Sequence, residues 1–380
     1  MKVLIVNQHT NNFGDDGAGV SVIKNLLNIQ QVEKVEVLYC MPGQLPIDDD
    51  RVIHNHSLNV RTLRRIDYIL FYYFGISRGS FIPGFLKKLE EYDVVLVSPC
   101  GANLGIYKDW QLLYQDLIVT KCKKKLIFHL NTISPSGNWF FDHMVIKLCK
   151  KSFTYVREKA SLHFLEHNNV KVKFGTDSAF SMPSEGSITQ LSNVVSFVPS
   201  DVWSWHVNFK NRNRSDVESL ILNPLGRFLE KNHLILNILP HTNSSAEKEY
   251  NISILNYFKQ HYPNVIVNLL TLNSVFDYEN SIRESAMVVG MRYHAIVFSV
   301  KNHIPFVGLA YEQKMKEVSK YSGLEKNCLD LTSLHANDFS LALDRVWSSR
   351  LKIEEELFDS SRYICEKSLI VMKEQFGEQK

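Results

Sequence analysis

The sequence has six cysteines, but they are scattered singly and no two of them form a C-x-x-C motif. This spacing indicates neither a zinc site nor a disulfide framework. The sequence also has no apolar run near the ~20 residues that a membrane-spanning helix needs. Its first residues read as a buried strand, because the apolar stretch is too short for a signal peptide and no cleavage site follows it. We therefore expect a cytoplasmic protein.

Net charge is almost absent as well, since 43 Lys and Arg against 40 Asp and Glu leave a formal charge of +3. A balance this even lacks the basic excess that is typical of nucleic-acid-binding proteins, so we expect no nucleic-acid partner. The basic excess is local. Between Arg51 and Lys88, seven basic residues stand against one acidic residue, Asp67. This distribution predicts one basic surface.

The chain is long enough for more than one hydrophobic core, because 380 residues exceed the size at which a single core usually stops growing. Strand-like and helix-like segments alternate through the first half, which indicates a parallel sheet covered on both faces. Turn residues interrupt the alternation from Ser181 to Ser187, and the pattern restarts at Asn193. We predict a Rossmann-like domain over residues 1–182, a second over residues 190–350, and a terminal helix, 351–380, that packs back on the first.

Two successive α/β domains of this kind, with a cleft between them, are similar to the glycosyltransferase-B architecture. In such sheets the loops at the carboxyl ends of the strands bind ligands. Candidate functional residues are therefore sought where an apolar run stops.

The most informative motif is Gly290-Met-Arg-Tyr-His-Ala, which follows the apolar run from Ala286 to Val289. Arg292 and His294 should therefore lie at or just beyond the carboxyl end of a strand. An arginine supplies a planar fork for a carboxylate or phosphate, and a histidine can donate a bond or move a proton. The pair suits a small anion that reacts. Alternatively, Arg292 serves in a structural ion pair and His294 is a buried, hydrogen-bonded ring.

The first loop follows a strand and opens a helix, and its glycines, Gly14 among them, would let backbone amides approach a ligand at the positive helix terminus. The spacing matches neither the G-x-G-x-x-G fingerprint nor a P-loop, so a dinucleotide or ATP site is poorly supported. Asp15 and Asp16 could hold sugar hydroxyls or act as a base, although Asp16 could simply cap the helix. We predict that Asp16 is the cap and Asp15 the ligand.

Several motifs, taken in order, resemble the polysaccharide pyruvyl transferases. They are Asn-x-Phe-Gly-Asp-Asp-Gly-Ala near the start, Tyr155-Val-Arg-Glu-Lys-Ala-Ser, Gly175-Thr-Asp-Ser-Ala-Phe, and the Gly290 motif followed by Pro305 and by Tyr311-x-x-Lys314. The resemblance spans roughly residues 7 to 324. It implies transfer of pyruvate from phosphoenolpyruvate to two hydroxyls of a sugar, which forms a cyclic ketal and releases phosphate without a redox cofactor or obligatory metal.

By this resemblance the Gly290 motif binds the donor, and Tyr311 and Lys314 belong to the loop that closes the donor site. Arg157 and Asp177 match the end of the first domain, on the acceptor side. Plainer alternatives are that Lys314 is a solvated helix residue, that Arg157 pairs with Glu158 or another acid, and that Asp177 caps the turn after it. The candidate catalytic residues are His294, Arg292 and Asp15, and the candidate substrate-binding residues are Arg157, Asp16, Asp177, His241, Tyr311, Lys314, Gly290 and Gly14.

Two other classes of function stay open. The architecture also suits a glycosyltransferase with a nucleotide-sugar donor, although we find no clear glutamate pair for ribose hydroxyls, Glu312 being the nearest candidate. A non-catalytic module that binds a sugar or phosphate would keep Arg292 but would not need an acid and a base.

The basic segment, residues 51–88, contains ten uncharged residues with five aromatic rings, Tyr68 to Ser77, between flanking arginines. Too short to span a bilayer, it could lie in the membrane interface at the inner face, with arginines on anionic head groups. A lipid-linked sugar acceptor would be reached most easily from there. The alternative is an internal helix whose aromatic side chains fill the first core.

Overall fold

The computed structural model describes residues 1–187, 189–206, 209 and 213–376. Within these residues the chain forms two compact units. The first unit comprises residues 1–11, 15–183 and the described residues from Glu366 onward. The second comprises residues 184–365 and the short stretch Asn12–Gly14 of the first loop.

Short segments rich in Val, Ile and Leu form the strands of the first unit, as expected for buried parallel strands. These strands are β1 (Lys2–Gln8), β2 (Lys34–Tyr39), β3 (Val52–Asn55), β4 (Val94–Val97), β5 (Lys125–Asn131), β6 (Phe153–Val156) and β7 (Val172–Phe174). In the part of the first unit that is described, they make one sheet of seven strands in the order β3-β2-β1-β4-β5-β6-β7. All pairs are parallel.

The helices of the first unit connect these strands. They are α1 (Phe13–Leu27), α2 (Arg65–Phe74), α3 (Phe81–Glu91), α4 (Trp110–Lys121), α5 (Trp139–Cys149) and α6 (Lys159–His167), with short 3-10 turns at Val60–Thr62 and Ser178–Ser181.

Helix α1 begins at Phe13. The reason is Asn12, whose Oδ1 accepts a hydrogen bond from the backbone N–H of Gly14 at 3.0 Å, as an N-cap side chain does. Asp15 and Asp16 consequently lie inside the first turn of the helix. The prediction that Asp16 caps this helix is wrong.

The second unit repeats the alternation. Its strands are β8 (Leu191–Val198), β9 (Ile235–Ile238), β10 (Val267–Leu269), β11 (Ser285–Gly290), β12 (Phe306–Ala310) and β13 (Cys328–Asp330). Among the residues described there, they form one parallel sheet of six strands in the order β10-β9-β8-β11-β12-β13. The predicted α/β fold with two Rossmann-like sheets is confirmed.

The helices of the second unit are α7 (Val202–Trp205), α8 (Arg214–Lys231), α9 (Ser245–His261), α10 (Val275–Arg283), α11 (Tyr293–Lys301), α12 (Gln313–Tyr321) and α13 (Ala336–Ser348), with 3-10 turns at Glu325–Asn327 and Leu331–Ser333. The last helix, α14 (Arg350–Phe376), begins in the second unit, and its residues from Glu366 onward belong to the first.

Each sheet grows in both directions from its first strand. In the first sheet β1 lies between β2 and β4, and in the second sheet β8 lies between β9 and β11. At such a reversal the loops at the carboxyl ends of the strands run apart, and open α/β sheets bind ligands there. The loops after β1 and β4, and those after β8 and β11, are thus the places where chemistry is expected.

A buried ion pair fixes the end of β6 in the first unit. Arg157 follows β6, and its Nη1 donates to Asp177 Oδ2 at 2.7 Å and to the carbonyl oxygen of Pro99 at 3.1 Å. Asp177 also accepts from the backbone N–H of Ala179 through Oδ1, so it caps the turn that follows it. The two side chains are only 5% and 0% exposed. Both therefore have a structural role, and the partner of Arg157 is Asp177 rather than Glu158.

We expect Arg157→Met and Asp177→Asn each to lower the free energy of unfolding by about 3–5 kcal/mol, because each leaves a buried polar partner uncompensated. The double variant should lose clearly less than the sum, since it removes both partners together. Chemical denaturation of the four proteins provides the test. As a matched control, Lys173→Met breaks the exposed pair with Glu374 and should cost at most about 1 kcal/mol. Additive losses in the double variant would contradict a coupled pair.

Candidate functional site

Three loops of the second unit place polar side chains at the carboxyl edge of its sheet. The loop after β9 carries His241, the loop after β11 carries Arg292 and His294, and the loop after β12 carries Tyr311. Because parallel strands end at the same edge, side chains from neighbouring loops can meet there. The predicted position of Arg292 and His294, just beyond a strand end, is confirmed, since β11 ends at Gly290.

Glu247, in the first turn of α9, holds Arg292 in place. Arg292 Nη2 donates to Glu247 Oε2 at 2.7 Å, and the carboxylate is almost fully buried. Burial alone would lower the pKa of Arg292, but the neighbouring Tyr311 phenol and the Glu247 carboxylate outweigh it, so this pKa is raised. The buried Nε of Arg292 makes no hydrogen bond within the described part of the chain. Glu247 therefore orients the guanidinium through Nη2, while the buried Nε has no hydrogen-bond partner among the described residues.

The same carboxylate also fixes the loop after β9. Glu247 Oε1 accepts from the backbone N–H groups of His241 and Thr242, and Oε2 accepts from the hydroxyl of Thr242 at 3.0 Å. A carboxylate with four donors, one of them charged, is well compensated in a buried position. Glu247 thus ties the loops after β9 and β11 to the start of α9.

His241 is buried beside Tyr278, whose Oη lies 3.2 Å from His241 Nδ1. Burial and the charges of Arg292 and His294 hold the pKa of His241 well below its usual range. Burial and the Glu247 carboxylate raise the pKa of Tyr278, so the phenol keeps its proton. The lowered pKa of His241 leaves this ring uncharged at neutral pH.

His294 lies in the first turn of α11, and its ring is stacked with that of His241 at a centroid distance of 6.2 Å. The stretch Asn12–Gly14 packs against it. Phe13 stacks on Tyr278 at 5.4 Å and donates its backbone N–H to the carbonyl oxygen of His241 at 3.1 Å. A Cβ added to Gly14 would come within 1.9 Å of His294 Nδ1, so no side chain fits beside this ring.

His241, Glu247, Arg292 and His294 form a cluster, and the loop after β12 lies beside it. Tyr311 lies edge-on to Trp205 and to His206, with ring centroids 5.6 and 5.4 Å away. Lys314 lies in α12, where its Nζ contacts Glu312 Oε2 at 2.6 Å. The same Nζ lies 5.6 Å from the ring centre of Tyr293. Lys314 is thus oriented by neighbours rather than simply solvated.

Gly290 is the last residue of β11, where a Cβ would lie 3.1 Å from Cβ of Ala295. Its contribution is close packing of the strand end against α11. Trp203 is buried and donates to the hydroxyl of Tyr250, so it is a core residue, whereas Trp205 keeps 41% of its surface exposed.

In the first unit, two adjacent carboxylates lie at the start of α1. Asp15 is nearly buried, and Oδ1 of Asp16 is buried without a hydrogen bond to any described residue. Burial, together with the charge of Asp15, raises the pKa of Asp16 from 3.8 to about 8. A carboxyl group with this proton affinity can gain or lose a proton near neutral pH. Asp16 therefore has the properties of an acid or base that the sequence favoured for Asp15.

Sequence reasoning missed Glu247 and Tyr278, which orient Arg292 and His241. A weak signal for Glu247 existed, because Ser244 and Glu247 form the S-x-x-E pattern of a helix start, and Ser244 does cap α9. The carboxylate, however, bonds to Arg292 instead of the cap residue. Nothing in the sequence pairs Tyr278 with His241, which lies 37 residues away along the chain.

A cavity of about 610 Å³ lies elsewhere in the second unit, at the amino ends of β8 and β12, and is lined by Gln190, Arg283, Ile304, Glu354 and Phe358 among others. The cavity is at the opposite edge of the sheet from the strand ends that carry Arg292 and His241, so we do not take it as the candidate functional site. Within the described ranges, no three His, Cys, Asp or Glu side chains are grouped so as to hold a metal ion.

The raised pKa of Asp16 predicts a pH-dependent stability. The carboxyl group of Asp16 binds its proton more tightly in the folded state than in the unfolded state. Asp16 therefore lowers the free energy of unfolding increasingly as the pH rises from about 4 to about 8. Asp16→Asn should therefore gain stability over the wild type by at most about 1.4 kcal/mol for each pH unit in that window. Denaturation curves at several pH values measure the difference, which should vanish at and below pH ~4. A difference that does not change with pH would contradict the shift.

Solved structures with the same fold include several sugar-nucleotide enzymes. UDP-GlcNAc 2-epimerase from Neisseria meningitidis, bound to UDP-GlcNAc, matches over 100% of both chains with a TM-score of 0.61 and 12% identity. UDP-GlcNAc 2-epimerase from Methanocaldococcus jannaschii matches over 91% of each chain with a TM-score of 0.55 and 9% identity. At such low identities the likeness shows the fold alone, which is that of glycosyltransferase-B-like proteins.

No curated protein sequence matches the chain. The family model of polysaccharide pyruvyl transferases does match, over residues 12–313. This range contains the start of α1, the Arg157 and Asp177 segments, and the loops after β9 and β11 with His241, Arg292 and His294. Since the match covers most of the chain, the protein belongs to the polysaccharide pyruvyl transferase family.

Proposed function

We propose that this protein transfers the pyruvyl group of phosphoenolpyruvate to two hydroxyls of a sugar in a surface polysaccharide or its precursor. The observation that carries the proposal is Arg292, held by Glu247 beside His294 and the uncharged His241. This cluster lies at the strand ends where the second sheet reverses. The reaction takes phosphoenolpyruvate as a co-substrate and uses no redox cofactor.

Anion recognition is the first task of the cluster. Phosphoenolpyruvate carries a carboxylate and a phosphate, and an oriented guanidinium can donate to either through charge-assisted hydrogen bonds. The Nε of Arg292 makes no hydrogen bond to any described residue, and we infer that the donor anion binds this guanidinium. We infer that Lys314 and Tyr311 lie beside the bound donor and close the site over it.

Proton transfer is the second task. A proton added to C3 of phosphoenolpyruvate makes C2 electrophilic, and a sugar oxygen then bonds to C2. The C2–O bond to phosphate breaks, and the second sugar oxygen bonds to C2 to close the ketal. Of the two hydroxyl protons, one balances the proton gained by C3 and the other leaves with phosphate.

We assign the role of the acid to His294. The lowered pKa of His241 means that the His241 ring does not carry the extra proton that an acid would donate at neutral pH. We propose that His241 instead contacts the substrate as a neutral imidazole. The base that accepts the sugar proton is Asp15 or Asp16, which directly follow Gly14 in the chain. The raised pKa of Asp16 favours Asp16 as proton acceptor and leaves Asp15 to bind a sugar hydroxyl.

The acceptor is a sugar whose two reacting hydroxyls are close enough to bond to one carbon. It is proposed here as part of a polysaccharide or of a lipid-linked precursor, in keeping with the family. Arg157 and Asp177 use their charges on each other. We therefore propose that they shape the first unit beside the acceptor and do not contact it.

Replacing Arg292 or His294 should abolish turnover without unfolding the protein. Loss of a charge-assisted contact at Arg292→Ala should cost about 1.5–3 kcal/mol of donor binding, and loss of the acid at His294→Gln should lower the rate ~100-fold or more. Arg292→Lys should also fail, because a point charge does not replace a fork. The assay follows phosphate release from phosphoenolpyruvate with a panel of pyranosides, and Arg345→Ala, an exposed arginine of α13, is the control.

The same assay separates the other functions. Release of UDP from UDP-sugars, without phosphate release from phosphoenolpyruvate, would point to a glycosyltransferase. Binding of phosphoenolpyruvate without any product would point to a binding module. Wild-type rates in both the Arg292 and His294 variants would contradict the assignment of these residues.

Gly14 should be required to position His294. Gly14→Ala places a Cβ where the imidazole lies, so the ring must move and kcat should fall about as far as in His294→Ala. In a His294→Ala background the same change should cost little more, because the obstructing ring is gone. A double-mutant cycle on kcat measures the coupling. Independent losses from the two changes would show that Gly14 does not act through His294.

A further inference from the structure

Aromatic side chains are exposed at the carboxyl edge of the first sheet. We define the aromatic rim as Ile106, Tyr107, Trp110, Trp139 and Phe140. Ile106 and Tyr107 lie in the loop after β4, and Trp139 and Phe140 begin α5, the helix after β5. Phe140 lies 5.7 Å from Trp139 and 6.0 Å from Trp110 between ring centres. Trp110, Trp139 and Phe140 are therefore in continuous contact, and Ile106 and Tyr107 are exposed in the loop that precedes Trp110.

The exposed rings at the start of α5 are not needed to pack this helix on the sheet. Phe141, Val145 and Leu148 already provide the buried face of α5. Trp139 nonetheless has 80% of its surface exposed. A contiguous exposed apolar patch on a soluble unit commonly marks an interaction surface.

Helix α2 lies beside α4, which begins with Trp110 of the rim. Its inner face buries Tyr68 and Phe71, and Tyr68 stacks on Tyr114 of α4 at 4.2 Å. Tyr73 and Phe74 are exposed at the other end of α2, where Lys121, the last residue of α4, donates to the carbonyl oxygen of Tyr72. The prediction of an internal helix is thus right for the inner rings, and the exposed rings lie away from the rim.

Four arginines cluster at the start of α2, beside the rim. Arg64 and Arg78 share a single carboxylate, that of Asp67, and Arg61 pairs with Asp109. Arg65 forms no ion pair with any residue that the structure describes, and with Arg64 it lines a groove of about 320 Å³ that also contains Trp110 and Tyr114. Two carboxylates offset four guanidinium groups. The surface therefore has a positive charge next to its exposed rings.

We propose that the aromatic rim and these arginines form a docking surface for membranes that contain anionic phospholipid. Tyr and Trp rings favour the level of the head groups, where one side of the ring is apolar and the other is wet. Arginines beside them bind lipid phosphate, which makes the attachment reversible and salt-dependent. No helix among the described residues is long and apolar enough to cross a bilayer.

The position of the rim fits a lipid-linked acceptor. It lies at the same edge of the first sheet as the loops after β1 and β4, where the acceptor would bind under the proposed function. A sugar on a lipid carrier would then be presented at the edge where it is used. This last step rests on the proposed function, whereas the docking surface itself does not.

Co-sedimentation with vesicles tests the docking surface without any substrate. The full-length protein should bind vesicles of phosphatidylcholine with phosphatidylglycerol at low ionic strength, and should bind weakly to phosphatidylcholine alone. Raising the salt concentration should release it. Arg65→Gln should lower the partition coefficient about fivefold, and Trp139→Ser with Phe140→Ser should lower it at least as much.

Matched controls are available on the second unit. Phe358→Ser removes a comparably exposed ring, and Lys259→Gln removes an exposed positive charge, so both proteins should bind like the wild type. Circular dichroism checks that every variant is folded. Absence of binding to anionic vesicles, or equal binding by the rim variants and the wild type, would overturn the proposal and favour a protein partner for this surface. Phosphate release in solution would be unaffected by that outcome, so failure here is distinct from failure of the proposed reaction.

Discussion

The hydrogen bonds of the Glu247 carboxylate are the constraint on which the candidate site depends. One buried anion holds the backbone of His241 and Thr242 on one side and the guanidinium of Arg292 on the other. Removing it would leave a largely buried arginine without its carboxylate partner, which is strongly unfavourable. The loops after β9 and β11 therefore keep their mutual position in the absence of substrate. A preorganised donor of this kind stabilises an anion without having to reorganise first.

The proton chemistry follows from the same packing. Burial keeps His241 uncharged and Tyr278 protonated, and a hydrogen bond joins the two side chains. His294 stacks beside them, against a glycine that leaves no room for another side chain. In the first unit, burial has the opposite consequence for a carboxyl group, because it raises the pKa of Asp16 toward neutrality. Two groups with different proton affinities are what addition to an enol and deprotonation of a hydroxyl require.

Local patterns in the sequence were sufficient to place most strands and helices and to find Arg292 at a strand end. They also identified the family through the order of its motifs. They failed where one side chain satisfies another across the fold. Asn12 rather than Asp16 caps α1. Arg157 forms an ion pair with Asp177, and Glu247 bonds to Arg292 instead of to the cap residue of its own helix. Hydrophobic periodicity reports which face of an element is buried, but it carries no information about which polar partners meet there.

The central claim is that the cluster around Arg292 binds phosphoenolpyruvate. Calorimetric titration of the full-length protein with phosphoenolpyruvate tests it most directly, because binding can be measured without knowing the acceptor. We predict saturable one-site binding to the wild type that is lost in Glu247→Ala, which removes the group that orients Arg292 without touching the ligand. Unchanged affinity in that variant, or no binding to the wild type, would contradict the account.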